Sequence, residues 1–151
     1  DVRSPWYESQ PVPQSEQPWY VNCVVAVKTS HSPYVLMEQL LKIETELGRT
    51  RNNINGSRTL DIDILAFNDF VIQDTDDSHL RLQIPHPRMH LRSFVIMPLC
   101  DISSTWVHPV LGHSAVYLRE NLPNGQKIQR IIDAGGMYGT EWREEGSKKI
   151  S

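Results

Sequence analysis

Only two cysteines occur in 151 residues, Cys23 and Cys100. Both lie in apolar stretches, which reads as two buried free thiols of a cytoplasmic protein rather than a disulfide framework. No apolar run approaches the roughly 18 residues that a membrane helix needs. Residues 1–17 are too polar and too rich in proline for a signal peptide. Positive charge is not in excess either: 15 Lys and Arg against 18 Asp and Glu leave a formal net charge of −3. The chain as a whole is therefore no electrostatic partner for nucleic acid. Lysine is missing altogether between residues 43 and 126, where Arg49, Arg51, Arg58, Arg81, Arg88, Arg92 and Arg119 stand instead. Arginine presents a planar fork of donors that matches phosphate, whereas lysine is the ordinary solubility residue. Solvated surface charge suffices for Arg119 and Arg88; the rest suggests anion recognition.

What remains is a chain with 39% hydrophobic and 22% charged residues, one domain's worth of an ordinary globular protein. Residues 2–7 suit the end of a strand, and 9–18, with three prolines, a loop. Residues 20–27 alternate and are rich in valine, a strand pattern that places Tyr20 and Asn22 on one face. Ser32-Pro33 suits an N-cap followed by proline at the first helical position. A helix over residues 34–47 then carries Val35, Leu36, Leu40, Leu41, Ile43 and Leu47 at helical spacing, with Gly48 as its stop. Residues 49–57 read as a loop, 59–67 as a strand, and Asn68-Asp69 as a hairpin turn into residues 70–72. Residues 82–84 read as extended and are halted by Pro85-His86-Pro87. A helix opens at Arg92 and is limited by Pro98. Residues 116–121 are ambiguous, residues 127–132 suit a short helix, and the chain from Gly135 reads as a tail. The order describes an α+β sandwich of helices on a mostly antiparallel sheet.

The most informative stretch runs from Ser57 to Leu65. Leu60, Ile62 and Ile64 share one face of an alternating strand and Asp61 and Asp63 the other, with the two aspartates roughly 6.5–7 Å apart at the backbone. Such a pair can converge on one metal ion or on two ions roughly 4 Å apart. Arg58 just upstream suits the phosphate such metals hold. Taken alone, the pair also fits the wet face of an amphipathic strand. Asn22 can read a heterocycle edge and Tyr20 can pack on a ring, although an ordinary strand uses both residues too.

Taken together, Gly56-Ser57-Arg58-Thr59-Leu60-Asp61-Ile62-Asp63-Ile64-Leu65, then Ile84-Pro85-His86-Pro87-Arg88-Met89 with Arg92, resemble 6-hydroxymethyl-7,8-dihydropterin pyrophosphokinases of folate biosynthesis. Glu44-Thr45-Glu46-Leu47-Gly48-Arg49 and Gln17-Pro18-Trp19-Tyr20-Val21-Asn22 fit in the same order. The resemblance covers residues 4–102. It implies a ferredoxin-like α+β sandwich and transfer of pyrophosphate from ATP to the pterin hydroxymethyl group, giving AMP. It implies two Mg²⁺ ions on Asp61 and Asp63, and the arginines Arg49, Arg51 and Arg58 acting over the substrates. Glu44, Ile64, Arg81, His86 and Arg92 are implied at the ATP site, and Ser9, Val12, Tyr20, Asn22 and Phe94 at the pterin site.

Two departures stand out. Asn55 occupies a place where many members carry a tryptophan, and the family's opening strand and helix are expected before Asp1. The expected organisation is a pyrophosphokinase domain over residues 1–122 and a C-terminal short helix and tail over 123–151. The protein is expected to be a monomer or to be fused to another folate-pathway domain. The competing expectation is a catalytically impaired fragment or pseudoenzyme that binds pterin or nucleotide without turnover. An RNA-binding α+β module would need exposed aromatics beside basic residues on its sheet, against which the net charge and the paired aspartates argue.

Overall fold

The computed structural model describes residues 1–10, 18–50, 60–73 and 82–131, without the side chains of 49 and 50. In chain order the elements are β1 (Val2–Arg3), β2 (Tyr7–Ser9), β3 (Tyr20–Asn22), β4 (Val25–Ala26), α1 (Pro33–Thr50), β5 (Ile72–Gln73), β6 (Gln83–Ile84), a 3-10 turn (Met89–Leu91), α2 (Ser93–Ser103), α3 (Ala115–Glu120) and β7 (Ile128–Arg130). All described strand pairs are antiparallel, and with the three described helices they form the expected α+β, ferredoxin-like class. Among the described residues, no helix is long and apolar enough to cross a membrane. The chain divides into two compact units, Asp1–Lys28 with Arg88–Ser151, and Thr29–Pro87.

In the first unit the expected strand over residues 20–27 is broken in two. β4 pairs with β1 (Val2↔Ala26, Arg3↔Val25), whereas β3 pairs with β2 (Tyr7↔Asn22, Ser9↔Tyr20). Between them Ser4 takes both backbone groups of Val24: its N–H donates to the Val24 carbonyl at 2.8 Å and its Oγ accepts the Val24 N–H at 2.9 Å. Three steps from Ser4 to Tyr7 face two steps from Val24 to Asn22, so the ladder slips by one residue, a bulge. Pro5, which has no N–H to give a ladder, stands in it.

A helix is also expected over residues 127–132; residues 128–130 instead form strand β7, and Ile132 lies outside the described residues. β7 lies on the other edge of β2, pairing Tyr7↔Arg130, Glu8↔Gln129 and Ser9↔Ile128. An open strand edge with unsatisfied N–H and C=O groups outweighs the weak helical preference of so short a segment. The order of this sheet is β3-β2-β7. Helix α2 runs through Pro98 to Ser103 instead of stopping there. An interior proline costs a helix about 3 kcal/mol; burial of Val95, Ile96, Pro98, Leu99 and Cys100 on this helix offsets it. The Cys100 thiol donates to the Ala115 carbonyl at 3.2 Å, which ties α2 to α3. Both cysteines are free thiols, Cys100 buried and Cys23 half-buried, and burial pushes both above the ordinary thiol range.

In the second unit α1 starts where expected: Ser32 Oγ accepts the Val35 N–H at 3.3 Å. It passes through Gly48, which has no left-handed backbone angle to end it, and reaches Thr50. Its inward stripe is Leu36, Met37 and Leu40, packed on the buried trio Ile64, Leu82 and Ile84. Val35, Leu41, Ile43 and Leu47, expected on the same stripe, are exposed. The turn at Asn68-Asp69 forms, with Asn68 in the left-handed region at φ 52° and the Phe70 N–H donating to the Phe67 carbonyl at 3.0 Å. The strand that follows it, however, pairs with β6 (Ile72↔Ile84, Gln73↔Gln83) and not with the described residues 60–67.

Candidate active site

Residues 60–67 are not part of a strand ladder, yet the alternation survives. Asp61 and Asp63 are exposed, Ile62 is half-buried, and Ile64 is 8% exposed within the core trio. The core thus grips one side of the segment and turns the two carboxylates to the other.

Two backbone hydrogen bonds set the segment's position. Glu44 lies one turn beyond Leu40 on the inward face of α1, and its Oε2 accepts the Ile62 N–H at 2.6 Å. The Leu65 carbonyl accepts the His86 N–H at 2.9 Å. One clamp falls between the aspartates and the other two residues past Asp63. Glu44, Asp61, Asp63 and His86 thus stand in one unit, with Glu44 and His86 tied to the backbone of the segment that carries the aspartates. Glu44 also does something the sequence did not disclose, since it fixes the backbone that carries the carboxylates. The Ile64 side chain is committed to the core, which leaves its backbone as the group it can offer a nucleotide.

Among the described residues no group of three or more His, Cys, Asp or Glu side chains could hold a metal ion. What the described segment offers is two exposed carboxylates, Asp61 and Asp63. That set suits Mg²⁺, which keeps several waters and is held by one or two carboxylates together with substrate phosphates. Arg51, Arg58, Arg81 and Val12 lie outside the described residues, as do Asn55 and the tail from Gly135; the side chain of Arg49 does too.

The residues expected to meet a heterocycle belong to the other unit. Directly paired residues point to one face of a sheet, so the register puts Tyr7, Ser9, Tyr20 and Asn22 on a common face. That face is turned toward α2, because the Tyr7 hydroxyl donates to Asp101 Oδ2 on that helix. Arg130 on β7 completes the cluster, its Nη2 donating to the Tyr7 hydroxyl at 3.3 Å and to Asp101 Oδ1 at 3.1 Å. Burial, and after it the Asp101 hydrogen bond, pushes the Tyr7 phenol above its ordinary range. Tyr20 is 52% exposed and free to meet a ligand, and Asn22 is half-buried beside it. Ser9 is 4% exposed, and its Oγ has no hydrogen-bond partner among the described residues. At the start of α2 the Arg92 guanidinium lies over Phe94, with Cζ 5.4 Å from the ring centroid. One face of Phe94 is thus covered by a cation, and the residue is half-buried.

A family described as 7,8-dihydro-6-hydroxymethylpterin-pyrophosphokinase matches residues 2–104. The chain is 45% identical over 129 residues to the 2-amino-4-hydroxy-6-hydroxymethyldihydropteridine pyrophosphokinase of Haemophilus influenzae, covering 85% of this chain and 69% of that protein. The protein of the same name from Pseudomonas aeruginosa is 41% identical over 138 residues, covering 91% of this chain and 74% of that one. The folic acid synthesis protein FOL1 of Dictyostelium discoideum is 41% identical over 125 residues. Those residues are 83% of this chain but only 18% of that far longer protein.

Proposed function

The chain belongs to the 7,8-dihydro-6-hydroxymethylpterin-pyrophosphokinase family, and on that premise we propose that it transfers pyrophosphate from ATP to 6-hydroxymethyl-7,8-dihydropterin. The pterin hydroxyl oxygen attacks the β-phosphorus, the bridge between the α- and β-phosphates breaks, and AMP leaves with the bridging oxygen. The hydroxyl proton is released, and the product is the pterin diphosphate.

The observation that carries this reading is the exposed pair Asp61 and Asp63 on a segment clamped by Glu44 and His86. When bound there, two Mg²⁺ ions supply charge neutralisation and alignment of the attacking and leaving oxygens. The rest is positioning. His86 and Arg92, with Arg81, meet the ATP phosphates, while Arg49, Arg51 and Arg58 act over the substrates. Phe94 offers the ring face turned away from Arg92 to the pterin, and Asn22 pairs with its heterocycle edge. Tyr20 borders the pocket, and Ser9 and Val12 meet the pterin largely through backbone. A cytoplasmic location goes with this chemistry. A second folate-pathway domain on the same polypeptide is consistent with the great length of the FOL1 relative.

AMP release is the test. It should require ATP, Mg²⁺ and the dihydropterin together, and chelation should stop it. Asp61→Ala combined with Asp63→Ala should slow turnover at least about a hundredfold, because both carboxylates proposed to hold the metal are removed. Thermal stability should fall far less than activity, since both side chains are exposed. Turnover that survives the double change overturns the proposal, and pterin binding without any AMP would mark a binding protein instead.

A further inference from the structure

Helix α2 begins with a residue ill suited to that place. Favoured N-caps carry a side-chain oxygen that accepts a backbone N–H of the first turn. A guanidinium cannot accept, and its charge opposes the positive end of the helix dipole. The N-cap of α2 is nevertheless Arg92, which makes no side-chain capping bond.

The missing acceptor comes from 33 residues further along the chain. Gln126 Oε1 accepts the Ser93 N–H at 2.9 Å, while its Nε2 donates to the Leu91 carbonyl at 2.9 Å and to the Pro123 carbonyl at 3.3 Å. One side-chain amide thus spans Arg92, engaging the acceptor before it and the donor after it as a neighbouring strand would. The backbone of Arg92 itself is engaged too. Its N–H donates to the Met89 carbonyl at 3.3 Å, and its carbonyl accepts from Val95 and Ile96 at 3.1 and 3.0 Å. The backbone is therefore held extended, at φ −110° and ψ 115°, with the guanidinium over Phe94.

We propose that Gln126 is a positioning residue of the substrate site: it fixes the 91–93 backbone so that Arg92 and Phe94 are presented as one unit. The proposal rests on the reading above, in which Arg92 meets ATP phosphate and Phe94 the pterin ring. Gln126 touches neither substrate. It lies beyond the stretch matched by the family, which ends at residue 104. The segment carrying it is built into the same unit through β7, whose Arg130 holds Tyr7 and Asp101.

The experiment compares Gln126→Ala, Arg92→Ala, Phe94→Ala and the pair Arg92→Ala with Gln126→Ala, each corrected for its folded fraction by thermal melting. Gln126→Ala should raise the KM for ATP about tenfold, as expected for the loss of one or two hydrogen bonds, with a smaller change in kcat. A purely structural role lowers only the folded fraction and leaves KM where it was, which overturns the proposal. In the Arg92→Ala background the Gln126→Ala effect on the KM for ATP should vanish; a full additive effect there also overturns it. Gln126→Glu keeps the acceptor for Ser93 but sets a carboxylate oxygen against two carbonyls. Its KM defect should therefore shrink as the pH falls and the carboxyl gains a proton to donate, a recovery the wild type lacks. If Arg92→Ala raises the KM for ATP and Gln126→Ala does not, this inference alone falls. If neither Arg92→Ala nor Phe94→Ala moves the KM of either substrate, the reading of the site falls with it.

Discussion

Among the described residues of the Thr29–Pro87 unit, Ile64, Leu82 and Ile84 form a buried core cluster, walled by half-buried side chains of α1 and its neighbours. In the other unit Tyr7, Met89, Val95, Ile96, Leu99, Ala115 and Leu118 are buried, and β2 is flanked by strands on both sides. The unit whose described core is thin carries the aspartates, exposed and held through their backbone. The thick unit carries Ser9, Tyr20, Asn22 and Phe94, placed by sheet register and by a capped helix. Charge neutralisation tolerates solvent, because phosphate and Mg²⁺ bring their own waters. Selecting one heterocycle requires a rigid wall, because shape discrimination weakens when the wall can relax. On the proposed function, the difference in packing among the described residues follows the difference in task.

The sharpest way to break that contrast is core truncation. Ile96→Ala should cost about 3–5 kcal/mol, whereas Leu82→Ala, beside side chains that can collapse into the gap, should cost nearer about 2–3 kcal/mol. Urea denaturation measures both, and equal losses would erase the distinction. Next come the functional side chains, where the two units should separate in kinetics. Asp63→Ala should lower kcat about a hundredfold with little change in stability. Phe94→Ala should instead raise the pterin KM about tenfold, the scale of one ring-stacking contact. A smaller effect is expected at Glu44. Glu44→Ala removes the acceptor for the Ile62 N–H and should lower kcat about tenfold by loosening the aspartate segment. Glu44→Gln, which keeps an acceptor, should recover most of that loss.

The smallest effect is a pH dependence confined to the thick unit. His108 is 5% exposed, and its Nδ1 accepts the N–H groups of Val110 and Leu111 at 3.2 and 3.0 Å. Burial first, and the neighbouring His90 second, lower its pKa below the ordinary 6.5. A depressed folded-state value means that this contribution to stability is complete above about pH 6.5 and is lost as the pH falls toward the folded value. His108→Gln should flatten that slope in chemical denaturation between pH 7 and 5.

Much of this was legible in the sequence because it is local. Ser32 announced the start of α1, Asn68 its turn, and the Asp61/Asp63 alternation persisted although no ladder encloses it. Tyr20 and Asn22 share a face as the period of two requires. What stayed hidden was set by distant parts of the chain. Residues 128–130 became a strand because β2 had a free edge, and Pro98 stayed in a helix because its surroundings are buried. Of the many apolar residues on α1, only contact with Ile64, Leu82 and Ile84 selects Leu36, Met37 and Leu40. The Glu44 and Gln126 hydrogen bonds join residues 18 and 33 positions apart, and no local pattern encodes them.

The slipped ladder between Ser4 and Tyr7 has a consequence for chain length. Both residues point inward although an odd number of steps separates them, which a regular strand forbids. The strand therefore holds one residue in reserve, and the bulge is where it is stored. Deleting Pro5 or Trp6 would restore even parity and leave Tyr7 opposite Asn22 and Ser9 opposite Tyr20. Deleting Glu8 would turn the remainder of the strand over and swing Ser9 away from Tyr20. Length variation is thus tolerated on one side of Tyr7 and ruinous on the other.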